Sequence, residues 1–299
     1  EEEDSLQPLG GVDAELLARV DLEVRDSVDE LVEATAESSD DQAVEPVLED
    51  EQPIAVAVVG RPNAGKSTLV NQMLGTDRHL TSEVPGTTRD SIDSWVLGGE
   101  HPYLLIDTAG LRRKSRISDR VERYSVLRAL ESARRADVVC LLVDPIEGVT
   151  TQDKKIAHLA AQYGKAAVLL VNKWDMVKKD TRTAQEMVRD LREELPFLDW
   201  APILFVSALT GQRVHRVLAA VDGAAINHRR RISTGELNRH LAQLVARHQP
   251  PIRGTRRPRI FYGVQTAVQP PTFVLFVSER KILGDSYLRY LMNGLRERV

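Results

Sequence analysis

Eight residues, Gly60-Arg61-Pro62-Asn63-Ala64-Gly65-Lys66-Ser67, stand between the run Ile54-Ala55-Val56-Ala57-Val58-Val59 and the run Thr68-Leu69-Val70-Asn71-Gln72-Met73-Leu74. The first run is apolar throughout and rich in β-branched residues, which predicts a strand buried on both faces. The second has helical spacing. A glycine-rich turn from a buried strand into a helix points to an α/β layer architecture and places the turn's amides at a helix N-terminus. The turn fits G-x-x-x-x-G-K-[ST], the pattern of a loop that cradles a nucleoside triphosphate. Gly60 and Gly65 allow close backbone approach, Lys66 reaches the β- and γ-phosphates, and the Ser67 hydroxyl is a Mg²⁺ ligand. Arg61, Pro62, Asn63, Ala64 and Thr68 are the remaining expected nucleotide contacts of this loop.

Four further segments follow in register. Tyr103-Leu104-Leu105-Ile106 runs into Asp107-Thr108-Ala109-Gly110, setting a carboxylate at a strand's C-terminal end. Asp107 is the expected Mg²⁺ partner through water, since Mg²⁺ keeps several waters and takes few carboxylates. Gly110 is expected to offer its amide to the γ-phosphate. Between these motifs, Val84-Pro85-Gly86-Thr87-Thr88-Arg89-Asp90 is turn-rich, and Thr88, in preference to Thr87, is expected to complete the Mg²⁺ shell. Asn172-Lys173-Trp174-Asp175 chooses the base, because the Asp175 carboxylate can accept from both N1 and the 2-amino group of guanine. Adenine offers no such pair of donors. Ser207-Ala208-Leu209, after the apolar run Pro202-Ile203-Leu204-Phe205, supplies amides for the guanine 6-oxo group. The expected ligands are therefore GTP and GDP with Mg²⁺, and Lys66, Thr88 and Gly110 are expected catalytic groups.

Gly60-Arg61-Pro62-Asn63-Ala64-Gly65-Lys66-Ser67, Pro85-Gly86-Thr87-Thr88-Arg89-Asp90, Asp107-Thr108-Ala109-Gly110-Leu111-Arg112-Arg113-Lys114, Asn172-Lys173-Trp174-Asp175 and Ser207-Ala208-Leu209-Thr210-Gly211 together resemble the second GTPase domain of the Der (EngA) ribosome-assembly GTPases. Pro270 to Val277 followed by Ser286 to Leu291 resembles that family's C-terminal KH-like domain, so the likeness covers about residues 53 to 299. It implies a GTP-hydrolysing switch in ribosome assembly, with a ribosomal subunit, the large one, and rRNA as partners. A glutamine that orients the attacking water in many GTPases is replaced by Leu111. In related GTPases with a hydrophobic residue there, an asparagine at the position of Asn63 helps to bind K⁺, which takes the electrostatic role of an arginine finger. Arg112 and Arg113 are the other candidates for that charge.

The family carries two GTPase domains in tandem, whereas this sequence holds one phosphate loop and starts at Glu1. The expectation is a fragment lacking its first GTPase domain, itself a partner of the rest. The family also continues into a further strand and a basic tail where this sequence stops at Val299. A tRNA-modification GTPase shares nearly the same phosphate loop, but it sets its GTPase inside a helical domain. A scaffold that hydrolyses only when bound is the third reading.

Predicted strands at 54–59, 93–97, 102–107, 138–144, 166–171 and 202–206 alternate with helices at 67–75, 119–135, 152–163, 182–195 and 212–226. This is the signature of a doubly wound, mostly parallel α/β sheet that binds ligand at the strands' C-terminal ends. After His228-Arg229-Arg230-Arg231 the predicted order is helix (234–247), strands (259–268 and 272–278) and helix (284–298), a small α+β module compatible with a KH-like sheet. The expected domains are a leader, 1–52, a GTPase domain, 53–228, and a KH-like domain, 229–299. Phe261, Tyr262, Phe273 and Phe276 read as core.

Charge divides the chain more sharply than its total of −4 suggests. Residues 1–51 hold 19 acidic residues and 2 arginines, a balance of −17 that leaves +13 for the rest. The leader is expected to be largely disordered; 14–32 has a helical rhythm through Leu16, Leu17, Val20, Val28 and Leu31 and reads either as the tail of a helix of the first domain or as a solvated segment. Arg253-Gly254-Thr255-Arg256-Arg257-Pro258-Arg259 reads equally as a solvated charge run or as a phosphate contact, and the basic body together with the family resemblance favours rRNA or ribosomal contact. No DNA partner is expected. The longest apolar runs are strand-sized and no secretory or transit signal begins the sequence, so a cytoplasmic protein without a membrane partner is expected. The single cysteine, Cys140, lies in an apolar run and reads as a small buried hydrophobe.

Overall fold

The computed structural model describes residues 22–25, 52–75, 83–85, 92–96, 101–108, 122–178, 183–252, 256–279 and 283–298. In chain order the elements are β1 (Leu22–Arg25), β2 (Ile54–Val59), α1 (Lys66–Leu74), β3 (Glu83–Pro85), β4 (Ile92–Val96), β5 (Tyr103–Leu105), α2 (Glu122–Arg135), β6 (Val138–Val143), α3 (Thr151–Gln162), β7 (Ala166–Val171), α4 (Thr183–Glu194), β8 (Ile203–Phe205), α5 (His215–Arg229), α6 (Thr234–Arg247), β9 (Ile260–Val268), β10 (Pro271–Val277) and α7 (Asp285–Arg296).

The strand that feeds the phosphate loop, β2, is the middle strand of a seven-stranded sheet ordered β3-β4-β5-β2-β6-β7-β8. Strands β5, β2, β6, β7 and β8 are parallel, and β3 and β4 join antiparallel at one edge. Alternation divides the apolar side chains between two layers. Val56, Val58, Val138, Cys140, Leu142, Val168 and Leu170 pack with Leu69, Val70 and Met73 of α1 and Val217, Val221 and Ala225 of α5. Ala57, Val59, Val139, Leu141, Val143, Leu169 and Val171 pack on the other face with Ala133 of α2, Ile156 and Ala160 of α3, and Leu191 of α4. Both faces of the central strands are therefore covered, as their unbroken apolar runs require. Burial pushes the Cys140 thiol up to about 12, which leaves it an inert core group.

The predicted doubly wound sheet stands as read, with two additions. Strand β3 falls in the segment read as a turn. Its Pro85 removes a ladder donor, which a sheet tolerates at an edge, where β3 lies. The other addition is β1, extended where a helical rhythm was expected, and parallel to β10 from Leu22↔Phe273 to Arg25↔Phe276. It pairs the outer edge of β10, which would otherwise present an unpaired row of backbone groups.

Strands β1, β10 and β9 form the second sheet, with β9 antiparallel to β10. Leu237, Leu241 and Leu244 of α6 and Tyr287, Leu291 and Leu295 of α7 cover one face against Phe273, Leu275 and Val277. Tyr262 stacks on Phe276 with ring centroids 4.4 Å apart. Phe261 departs from the core reading: it is 50% exposed on the edge strand β9.

The smaller sheet meets the larger one at the end away from the phosphate loop. A Cβ added to Gly164, which has φ 61 in the turn before β7, would come within 2.7 Å of Pro270 in the turn between β9 and β10. The guanidinium of Arg296 in α7 lies 5.9 Å from the Trp200 ring centroid, just before β8. His228, at the end of α5, donates from Nε2 to the Gly164 carbonyl at 2.6 Å. Arg229 pairs with Asp137 at 3.1 Å, and the same carboxylate accepts the Ala55 amide.

Burial lowers the His228 pKa, and the Gly164 carbonyl and Asp137 only partly oppose it. Below about pH 6.5, the ordinary histidine value, an unfolded chain takes up a proton that the folded chain resists. His228 therefore contributes stability that is present above that pH and is lost as pH falls. Unfolding free energies from urea titrations at pH 7.5 to 5.5 should decline, by at most about 1.4 kcal/mol per pH unit from this group. His228→Gln should flatten that part of the slope.

Candidate nucleotide site

The phosphate loop can be built only around two glycines. Gly60 has φ 140, and a Cβ there would stand 2.6 Å from the Leu142 carbonyl oxygen of β6. Gly65 has φ 95, and its Cβ would stand 2.2 Å from the Asn172 side chain. Asn63 takes the same left-handed region with φ 63 and is exposed, as is Thr68. Ala64 is buried, while Arg61, Pro62, Lys66 and Ser67 are half-buried. The Lys66 ammonium donates to the Arg61 carbonyl within the loop.

Helix α1 begins without a side-chain cap and with no acidic residue in its first turn. Helix α5 also begins without a side-chain cap or an acidic first turn, whereas two other helices are capped. Thr150 and Asp153 close a reciprocal capping box on α3, and Ser233 accepts the Glu236 amide at the start of α6. An N-terminus without a side-chain cap, with Lys66 in its first turn, suits an anion. The residues present thus fit the phosphates of a nucleotide. Ser67 and Asp107 supply hydroxyl and carboxylate oxygens of the hard kind Mg²⁺ prefers. Both follow strands that pair in parallel, β2 and β5, at the same sheet end. Among the described residues no group of three or more His, Cys, Asp or Glu could hold a metal by itself.

Asn172 joins the two ends of the site. Its side chain, 1% exposed, donates from Nδ2 to the Ala64 carbonyl at 2.8 Å and accepts the Ala208 amide on Oδ1 at 2.9 Å. Both halves of the amide are thereby engaged by protein, so Asn172, expected among the nucleotide contacts, holds the phosphate loop to the Ser207-Ala208-Leu209 loop. Trp174 is buried against Phe205, with ring centroids 4.4 Å apart, and its amide donates to the Val206 carbonyl. With Trp174 turned inward, Asp175 is exposed, and Leu209 of the other loop is 78% exposed. Ser207 is buried, and its hydroxyl accepts the Thr210 amide at 3.2 Å.

A buried carboxylate, Asp144 at the end of β6, draws two cations of the motifs together. It accepts from Lys173 at 2.7 Å and lies 3.2 Å from the Arg61 guanidinium. Burial works to raise the Asp144 pKa, but Lys173, the Ile146 amide and Arg61 outweigh it, so the net shift is downward. Arg61 also pairs with exposed Glu147, and its amide donates to Asp153 at the start of α3. Nothing in the sequence motifs marked Asp144, Glu147 or Asp153. An acidic residue closing an apolar run was the available signal for Asp144.

Asp107 is half-buried with φ 57. Its amide donates to the Asp93 carboxylate of β4 at 2.9 Å, and buried Thr108 shares a 2.7 Å hydroxyl bond with Ser94. Thr88, Ala109, Gly110, Leu111, Arg112 and Arg113 lie outside the described residues.

The mostly parallel sheet, the phosphate loop at its centre and the joined base-side loop define a P-loop GTPase fold, followed by a KH-like α+β module. A family model described as 50S ribosome-binding GTPase matches residues 55–173, and one described as the C-terminal KH-domain-like region of EngA bacterial GTPase enzymes matches 231–299. GTPase Der of Symbiobacterium thermophilum is 49% identical over 292 residues, covering 98% of this chain and 60% of that one. GTPase Der of Caldanaerobacter subterraneus subsp. tengcongensis is 50% identical over 248 residues, covering 83% and 56%. The chain belongs to the Der (EngA) family of GTPases, and it spans about 60% of the length of the curated relatives it matches. Among solved structures it is similar to Era in complex with MgGDPNP and a segment of 16S ribosomal RNA, at 20% identity and a TM-score of 0.45 over 83% of this chain and 88% of that one. That likeness is too distant to bear on function.

If Asn172 holds two loops together, its loss should be felt without any ligand. Asn172→Ala leaves the Ala64 carbonyl and the Ala208 amide unpaired, and should cost about 2–4 kcal/mol of stability in nucleotide-free protein. Urea unfolding reads this directly. Affinities for GTP and GDP should fall together.

Proposed function

We propose that this chain is a GTP-hydrolysing switch acting in ribosome assembly, on the large subunit and its rRNA. The observation that carries the nucleotide part is the Asn172 side chain, which ties the phosphate loop to the Ser207-Ala208-Leu209 loop while Asp175 stays exposed at the same end of the sheet. In this reading Asp175 accepts from guanine N1 and the 2-amino group, and the Leu209 amide is left to face the 6-oxo group, since Ser207 donates to the Gln212 carbonyl and Ala208 to Asn172. The 50S ribosome-binding description of the family model that matches 55–173 supports the ribosomal partner. The balance of +13 outside the leader supports contact with RNA phosphates. The family's tandem arrangement makes a first GTPase domain of the same polypeptide a further partner. No helix among the described residues is long and apolar enough to cross a membrane, in keeping with action in the cytoplasm.

Lys66 and the first amides of α1 hold the β- and γ-phosphates, and Gly60 and Gly65 let the backbone come close to them. The Ser67 and Thr88 hydroxyls, with the Asp107 carboxylate through water, would hold Mg²⁺, which would supply positive charge against that of the phosphates. Gly110 offers its amide to the γ-phosphate, and with Thr88 it registers whether that phosphate is present. Leu111 cannot orient water, so the chain lacks the usual glutamine at that point. Asn63, exposed in the left-handed region of the loop, is the residue that would ligate K⁺ beside the phosphates.

Base choice tests the assignment. Asp175→Asn should weaken GTP about 10-fold to 100-fold, the effect of losing a charged hydrogen-bond acceptor, and should gain affinity for xanthosine triphosphate. Calorimetry that finds equal GTP affinity in both proteins contradicts it.

Salt tests the chemistry. Turnover in KCl should exceed turnover in NaCl at equal ionic strength, by up to about 10²-fold to 10³-fold if the ion replaces one transition-state donor. Asn63→Ala should erase the difference while nucleotide binding persists. Identical turnover in the two salts removes K⁺ from the account.

A further inference from the structure

Asp107 occupies a backbone region that disfavours a residue with a side chain, at a cost of about 1–2 kcal/mol, with φ 57. A residue kept there needs surroundings that enforce it. Its neighbours do so from one side. The Asp93 carboxylate accepts the Asp107 amide at 2.9 Å on Oδ1, while its other oxygen, Oδ2, takes the guanidinium of Arg135. One residue further along β4 and along the turn after β5, Ser94 and Thr108 share a buried hydroxyl bond of 2.7 Å. Asp93 is itself 8% exposed. Arg135 is the last residue of α2, so one carboxylate of β4 meets both the start and the end of the segment 107–135.

We propose that Asp93 is a positioning residue for Asp107: it fixes the Asp107 peptide by its amide, and Arg135 keeps the Asp93 carboxylate aimed at that amide. The proposal rests on the reading of Asp107 as a partner of Mg²⁺. A carboxylate that approaches a metal through water must be held in direction, because the protein supplies few other ligands. Asp93 supplies that hold through the backbone and makes no contact with nucleotide in this account. Its loss should therefore spare nucleotide binding that does not depend on the metal.

Three variants and two readouts test it. In nucleotide-free, metal-free protein, hydrogen exchange at the Asp107 amide should speed up about tenfold or more in Asp93→Ala and stay near wild type in Asp93→Asn, which keeps an acceptor oxygen. Calorimetry over a Mg²⁺ series should show the Mg²⁺ needed for half-maximal GTP affinity rising about 10-fold to 100-fold in Asp93→Ala, the scale of losing a group that orients a ligand. GDP affinity without metal should stay within about twofold, and Asp93→Asn should restore the Mg²⁺ midpoint to within about threefold. Arg135→Gln should fall between wild type and Asp93→Ala in both readouts. Unchanged exchange and an unchanged Mg²⁺ midpoint in Asp93→Ala overturn the proposal, as does Asp93→Asn behaving like Asp93→Ala. If Asp93→Ala does not fold, the asparagine and Arg135 variants decide by the same readouts. A wild-type chain whose GTP affinity ignores Mg²⁺ refutes the role of Asp107 instead, and leaves the exchange comparison standing.

Discussion

One carboxamide carries the organisation of the site. Asn172 reaches from the end of β7 to the Ala64 carbonyl, 108 residues earlier, and to the Ala208 amide, 36 residues later. Both bonds are buried, so neither partner can exchange the amide for water without a cost of about 1–3 kcal/mol each. The phosphate loop and the Ser207-Ala208-Leu209 loop are held at one separation. A nucleotide that engages both ends then meets a surface already assembled, which reduces the ordering that binding must impose. Gly65 is the steric complement of this contact, since any Cβ there would occupy the place of the Asn172 side chain.

Around that bridge the charges are arranged in the same sense. Helix α1 offers an N-terminus without a side-chain cap, and Lys66, to an anion, while Asp144 gathers Lys173 and Arg61 and remains ionised despite its burial. Each cation is thereby held by protein at one end of the site, and long side chains that would otherwise wander are confined. The sheet makes this possible because β2, β6, β7 and β8 run parallel and bring their C-terminal loops to one edge. The KH-like module packs at the other end, on Gly164 and Trp200, and leaves that edge clear.

Much of this is legible in the sequence. The apolar runs predicted the parallel strands, and the spacing of the five motifs predicted one site at the strands' C-terminal ends. What the sequence did not disclose depends on distance along the chain. Asn172 read as a nucleotide contact because its motif is local, whereas its partners lie in two other loops. Asp93 and Asp144 carry no motif and gain meaning only from the amide and the cations that the fold brings to them. Strand β3 was obscured by Pro85, whose meaning at a sheet edge differs from its meaning in a turn. Phe261 read as core by strand alternation, but β9 is an edge strand and the register with β10 shifts at Thr272/Phe273 and at Phe276/Val277.

Hydrogen exchange at the Ala208 amide in nucleotide-free protein is the most direct measure of the Asn172 bridge. The bridge predicts that Ala208 exchanges slowly, in step with the Val206 amide that β7 accepts, although its neighbour Leu209 is among the most exposed apolar residues described. Exchange at Ala208 as fast as at Leu209 would contradict it, because the two loops would then be joined only when a nucleotide is bound.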